Sequence, residues 1–307
     1  MFLSILTFAI WTSVFVINKV TLSLSTPVFL NGVRMVLAGF LVGVYLFFKR
    51  KKYFKMTKND ILPIILLAIL GLYLANILEL WGLQYLSSAK TCLIYSLTPF
   101  FSAILSYVHF KEKFNFKKTI GLIIGFLGVL PVIYIKTDIE DVAGGFSFFS
   151  LAELSIIGAV FFSSYGWVIL RLLVKNDKLS PLTVNCVAML IAGFLSLIHS
   201  YFIDSWNPIP VQPLQFFPFL RGVFLITFVS NILCYNLYGY LLKRYTATFL
   251  SFIGLLSPIF ASLHGWLFIG EKLSFVIFIS TIVIIFGLFI VYQEELKQGY
   301  IKKRVIN

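Results

Sequence analysis

The sequence predicts an all-α integral membrane protein of ten transmembrane helices built as two inverted five-helix repeats. Three observations lead there. The 307 residues are 60% hydrophobic and 12% charged, with a mean hydropathy of +0.97, whereas soluble domains average about 45–50% apolar and about 25% charged. Ten apolar runs reach the roughly 17–25 residues that a spanning helix needs. The punctuation of the first half recurs in the second.

The runs fall at 2–20, 28–48, 61–83, 89–110, 118–135, 149–173, 181–203, 216–241, 246–269 and 274–292. They are continuous rather than alternating, which favours helices over barrel strands. The first, "MFLSILTFAIWTSVFVINK", has no basic leader and no small-residue cleavage site, so it reads as a retained spanning helix. The loop "DSWNPIPVQPLQFFP" (204–218) carries four prolines and reads as a structured connector. Cys92, Cys186 and Cys234 lie in apolar runs without metal-ligand spacing and read as buried thiols.

The bases set the orientation. With the N-terminus inside, nineteen Lys and Arg fall in inner connectors and the C-terminal tail, five fall outside, and Arg34 sits within a span. This asymmetry places both ends in the cytoplasm and the protein in the cytoplasmic membrane. It also accounts for the net charge of +13. Once the spans are removed no basic, aromatic-interleaved domain remains, so no nucleic acid is expected as a partner. The expected partners are a small-molecule solute and membrane lipids.

The repeat is written in residues. "KEKF" at 111–114 matches "GEKL" at 270–273, which puts Glu112 and Glu271 159 residues apart. The same offset relates Pro99 to Pro258, Phe101 to Phe260 and Gly128 to Gly287; an offset of 154 relates Pro27 to Pro181 and Gly39 to Gly193. The first repeat is placed at 1–140, the second at 141–292, and a cytoplasmic basic tail at 293–307. Five helices per repeat is odd, so the second enters from the opposite face. The Glu-Lys pairs then mark equivalent connections on opposite surfaces, where they cap helix ends or gate them. Inverted repeats are the common construction of secondary transporters, whose halves rock about a midplane site.

Two stretches carry a family resemblance. "GLQYLSSAKTCLIYSLTPFFSAILSYVHFKEKFNFKKTIGLIIGFLGV" (82–129) resembles the fourth and fifth helices of the EamA branch of the drug/metabolite transporter superfamily. "SFIGLLSPIFASLHGWLFIGEKLSFVIFISTIVIIFGLFIV" (251–291) resembles their equivalent in the second half. Pro99, Glu112, Gly121 and Gly128 fit the family's pattern, as do Pro258, Glu271 and Gly287, and "STPVFLNGVR" (25–34) resembles its Ser/Thr-Pro followed by an Arg. The chain departs from it at Ser280, where the first repeat has Gly121, and at Lys90, where a small or apolar residue is expected. The resemblance implies ten helices, a central cavity and transport without ATP hydrolysis.

Ionisable groups inside spans are costly and come first as site candidates. Glu79 shares a helix face with Asn76. Arg34 lies at a comparable depth on the second span, so that it either pairs with Glu79 or leaves Glu79 to a cationic substrate group or a proton. Lys90 opens the fourth span and either reaches the headgroups or contacts an anion at a cavity mouth. Polar–aromatic stripes at helical spacing supply the remaining candidates: Trp11–Phe15–Asn18, Tyr95 with Thr91 and Thr98, Trp167 with Ser164 and Arg171, and Asn231–Tyr235–Tyr238. They either pack helices together or line a cavity. Such a cavity suits a zwitterionic or cationic solute with a flat part, such as an amino acid or an adenosyl sulfonium like S-adenosylmethionine. Arg34, Pro99, Glu112, Pro258 and Glu271 are expected to have structural or hinge roles, the prolines either as hinges or as static kinks.

No constellation of nucleophile, acid and base appears, no phosphate loop, and nothing that calls for a cofactor or metal, so an enzyme is not expected. The expected function is secondary-active transport of a small organic metabolite by alternating access, as an exchanger or a proton-coupled carrier. The alternative is a flippase for a lipid or lipid-linked metabolite.

Overall fold

The computed structural model describes residues 2–48, 56–111, 115–133, 145–146, 149–175, 179–270 and 275–299. Its helices are α1 (Phe2–Leu22), α2 (Pro27–Phe48), α3 (Lys58–Leu83), α4 (Lys90–Phe110), α5 (Phe116–Ile133), α6 (Leu151–Val174), α7 (Pro181–Ile203), α8 (Pro213–Leu241), α9 (Phe249–Ile269) and α10 (Phe275–Lys297). Among the described residues, eight of them, all but α5 and α10, are long and apolar enough to cross a membrane. The helix α5 has only 18 residues and carries Lys117 and Lys118 near its start. A two-residue hairpin, Gly145–Phe146 against Phe149–Ser150, leads into α6.

The surface chemistry is the reverse of a soluble protein's. Phe47, Phe202 and Phe217 are nearly 80% exposed, while Thr7, Asn31, Ser164 and Asn231 are fully buried. Thr7 and Ser164 each donate to a carbonyl one turn earlier at 2.6 Å, and Asn31 Nδ2 donates to Ser196 Oγ at 2.9 Å; apolar side chains turned outward suit a lipid surrounding.

Helix starts follow the sequence. Pro27 and Pro181 open α2 and α7 at the position where a missing N–H costs nothing. A capping box opens α6, where Glu153 Oε2 accepts the Ser150 N–H at 2.7 Å and Ser150 Oγ accepts the Glu153 N–H at 3.1 Å.

Fine structure recurs at the offset of 159. Ser87 Oγ caps one helix by accepting the Lys90 N–H, and Thr246 Oγ1 caps another by accepting the Phe249 N–H. A 3-10 turn follows at Tyr95–Leu97 and at Gly254–Leu256. The α-helix resumes over Thr98–Phe110 and Ser257–Ile269, and each segment ends on a left-handed residue, Lys111 (φ 52°) and Gly270 (φ 68°). Pro99 and Pro258 therefore sit in the first turn of a resumed helix, where the hydrogen-bond ladder has already been reset by the 3-10 turn. Glu112 and Glu271, just beyond the left-handed residues, lie outside the described residues, as does the tail from 300 onward.

Two helices contain π-helical stretches that periodicity did not anticipate, Leu67–Leu74 in α3 and Thr227–Cys234 in α8. Both lie beside the central cavity. The main apolar core joins α2, α3, α6, α7, α8 and α9 around Met35, Leu67, Ile169, Met189 and Leu250. Where α3 passes α6, glycine is required: a Cβ on Gly71 would stand 2.9 Å from Gly166 Cα.

Candidate functional site

A cavity of about 100 Å³ lies between α1, α2, α3, α4, α6, α8 and α9. Its lining on α1 runs from Phe8 to Asn18, which is about 15 Å along the axis. Nine of the eleven residues expected to bind substrate line it: Trp11, Phe15 and Asn18, then Asn76 and Glu79, then Tyr95, Trp167, Tyr235 and Tyr238. Arg34, expected to be structural, lines it too.

One pole is polar. Tyr95 Oη donates to Glu79 Oε2 at 2.5 Å. Arg34 is 2% exposed, and its Nη2 donates to Asn76 Oδ1 at 2.5 Å and to Asn31 Oδ1 at 3.2 Å. Asn76 Nδ2 donates to the Leu72 carbonyl at 3.0 Å, which fixes the amide with its oxygen toward the guanidinium. Arg34 and Glu79 thus form no direct ion pair; each is hydrogen-bonded to neutral partners and both line the cavity. Asn18 Oδ1 is buried and accepts no hydrogen bond among the described residues.

The other pole is aromatic. Trp11 and Trp167 meet edge to face at 5.6 Å, Trp167 lies 4.5 Å from Tyr238, and Phe8 contacts Tyr238 at 6.0 Å, all between ring centroids. Tyr235 belongs to both poles. Its ring packs 5.3 Å from Trp11 and 5.2 Å from Trp167, while its hydroxyl lies 3.4 Å from Asn76 Oδ1. Phe15 meets Tyr95 edge to face at 5.8 Å.

Two expected site residues are elsewhere. Lys90 does not line the cavity: it is 3% exposed, and its Nζ lies 3.0 Å from Glu153 Oε1. The capping glutamate of α6 meets it across the bundle, a contact between residues 63 positions apart that spacing does not reveal. Asn231 is fully buried with Nδ2 3.2 Å from Met35 Sδ. The reason is the π-helical stretch. With i→i+5 bonding, the residue that shares a face with Tyr235 is Ser230, which does line the cavity.

The sequence reading missed Phe8, Thr12, Ser163 and Ser251 in the lining. Phe8 and Thr12 continue the α1 stripe by one turn, and Ser163 stands one turn before Trp167, so helical spacing carried a signal for these three. Arg171, placed by the sequence at a helix end, lies with its guanidinium carbon 4.4 Å from the centre of the Phe110 ring.

The eight long apolar helices define a multi-pass membrane protein with a cavity among its helices, and the family match makes it a transporter. The EamA-like transporter family's profile matches residues 1–134 and again 150–293. The chain belongs to that family and is not an enzyme. It is 40% identical over 302 residues, 98% of this chain and 93% of the relative, to the S-adenosylmethionine/S-adenosylhomocysteine transporter of Chlamydia muridarum. The transporter of the same name from Chlamydia trachomatis serovar L2 is 41% identical over 98% of this chain and 91% of its own. An uncharacterized transporter of Archaeoglobus fulgidus is 22% identical over 94% and 97%. One solved crystal structure aligns with a TM-score of 0.73 over 97% of both chains at 15% identity, a likeness that speaks to the fold alone.

Proposed function

We propose that the protein carries S-adenosylmethionine and S-adenosylhomocysteine across the cytoplasmic membrane. The observation that carries the reading is the two-pole cavity. An adenosyl amino acid has a zwitterionic end and a flat purine end. Arg34 suits the α-carboxylate and Glu79 the α-ammonium, with Asn76 orienting the guanidinium. Trp11, Trp167 and Tyr238 offer surfaces for the purine. Asn18 Oδ1 is an acceptor available to a ligand N–H or O–H. The names of the two chlamydial relatives support the same substrates.

The mechanism is alternating access between two inverted five-helix repeats, with α5 and α10 completing ten spans. The caps, 3-10 turns and left-handed ends that recur at an offset of 159 support this, as does the double match of the family profile. The distribution of bases supports cytoplasmic termini. The cavity volume, about 100 Å³, is under the roughly 300 Å³ where pockets for such ligands begin, which supports a reading in which the halves part to admit substrate.

The test is uptake of radiolabelled S-adenosylmethionine into proteoliposomes. Uptake that needs internal S-adenosylhomocysteine identifies exchange; stimulation by an inward proton gradient identifies coupling, with Glu79 as the group to mutate. Glu79→Gln is expected to lower uptake at least tenfold. Absence of uptake of either compound, with protein shown to be folded and inserted, refutes the substrate assignment.

A further inference from the structure

We infer that the ring of Tyr235 is the element that reads the sulfonium charge, and so sets the preference between S-adenosylmethionine and its neutral product. This rests on the substrate reading above and deepens it.

The argument is a charge count followed by a distance. Among the described residues lining the cavity, Arg34 and Glu79 are the Lys, Arg, Asp or Glu side chains. A bound amino-acid end uses both, one for each of its charges. The sulfonium then has no carboxylate left to neutralise it. It is nevertheless a full positive charge among largely buried side chains, and it needs a compensating partner. The remaining lining is aromatic, and an aromatic face attracts a cation within about 6 Å of its centre.

Position selects Tyr235 among the rings. The sulfonium sulfur is three bonds from the α-carbon, about 3–4 Å away, so its partner must adjoin the amino-acid pole. Two lining tyrosines do so: Tyr95, whose hydroxyl donates to Glu79 and whose ring meets Phe15, and Tyr235, whose hydroxyl lies 3.4 Å from Asn76 Oδ1, the atom that holds Arg34; of the two, Tyr235 is the ring that also packs on Trp11 and Trp167, between the amino-acid pole and the place of the purine. Trp11 and Trp167 meet that ring at 57° and 55°, so neither covers it as a parallel stack. Tyr238 and Phe8 lie farther along, where the purine is placed. The hydroxyl fixes the ring; the ring reads the charge.

The measurement is competitive binding of both ligands to the purified protein in nanodiscs. Tyr235→Leu is expected to weaken S-adenosylmethionine about 5- to 30-fold relative to S-adenosylhomocysteine. Tyr235→Phe keeps the ring and is expected to keep the preference, with both affinities falling together by a few-fold from loss of the hydroxyl contact. Fluorinated phenylalanines at 235 preserve shape and are expected to lower S-adenosylmethionine affinity stepwise with fluorine number, which guards against misfolding of the leucine variant. Equal loss of both ligands in Tyr235→Leu, or a flat fluorine series, overturns the inference. So does loss of the preference in Glu79→Gln with Tyr235 intact, because the carboxylate would then be the reader. Wild-type protein that binds neither ligand instead overturns the substrate reading on which the inference stands.

Discussion

Removing the charge of Lys90 is expected to destabilise the protein without altering its substrate affinity. Lys90 occupies the first turn of its helix, an unfavourable place for a cation beside the positive end of the helix dipole. Glu153 Oε1 at 3.0 Å offsets this, and Glu153 itself is held by the Ser150 N–H through its other oxygen. The side chains are 3% and 8% exposed. Lys90→Met keeps the aliphatic stem but leaves a buried carboxylate without its cation, a change that costs about 3–5 kcal/mol. In detergent this corresponds to a fall in melting temperature on the order of 10 °C. Adding Glu153→Gln removes the stranded charge and preserves the capping box, since glutamine accepts the same N–H. The double variant is expected to recover most of the loss. Thermal unfolding of the single and double variants checks this, with KM for uptake measured on each. A single variant as stable as wild type, or a double variant no better than the single, refutes the reasoning. A raised KM at normal stability would return Lys90 to the substrate path.

Other perturbations follow from the same structure. Gly71→Ala sets a methyl 2.9 Å from Gly166 Cα, so α3 and α6 must separate; a loss of about 1–3 kcal/mol is expected, read as a lower melting temperature and poorer expression. Ser87→Ala and Thr246→Ala each remove an N-cap, and each is expected to cost about 1 kcal/mol in the same unfolding assay. Phe110→Leu removes the ring under Arg171 and is expected to cost about 0.5–1 kcal/mol, with substrate affinity unchanged because Phe110 lies outside the cavity.

What the sequence determined by itself is what bilayer physics makes local. A run of about 20 apolar residues must be a helix, because lipid offers no partner for an open backbone. Polar groups at helical spacing must face inward, and so Trp11, Glu79, Tyr95 and Tyr238 were legible as turned into the bundle before any coordinates, though packing and lining were not told apart. Recurring Pro and Gly positions were also legible, and the 3-10 turns that precede Pro99 and Pro258 have their place in that pattern.

Only the tertiary structure decided which inward-facing groups meet. Lys90 and Glu153 look like surface charges at two helix starts, and it is the crossing of α4 and α6 that makes them a buried pair. Arg34 and Glu79 are placed at the same depth by their positions, yet Asn76, Asn31 and Tyr95 hold them separately. Asn231 and Ser230 exchange roles because a π-helical stretch adds a residue to the turn. Periodicity assumes a constant 3.6 residues per turn and sees one helix at a time. Pairing between helices, and a local change of helical pitch, are set by packing, which no single helix encodes.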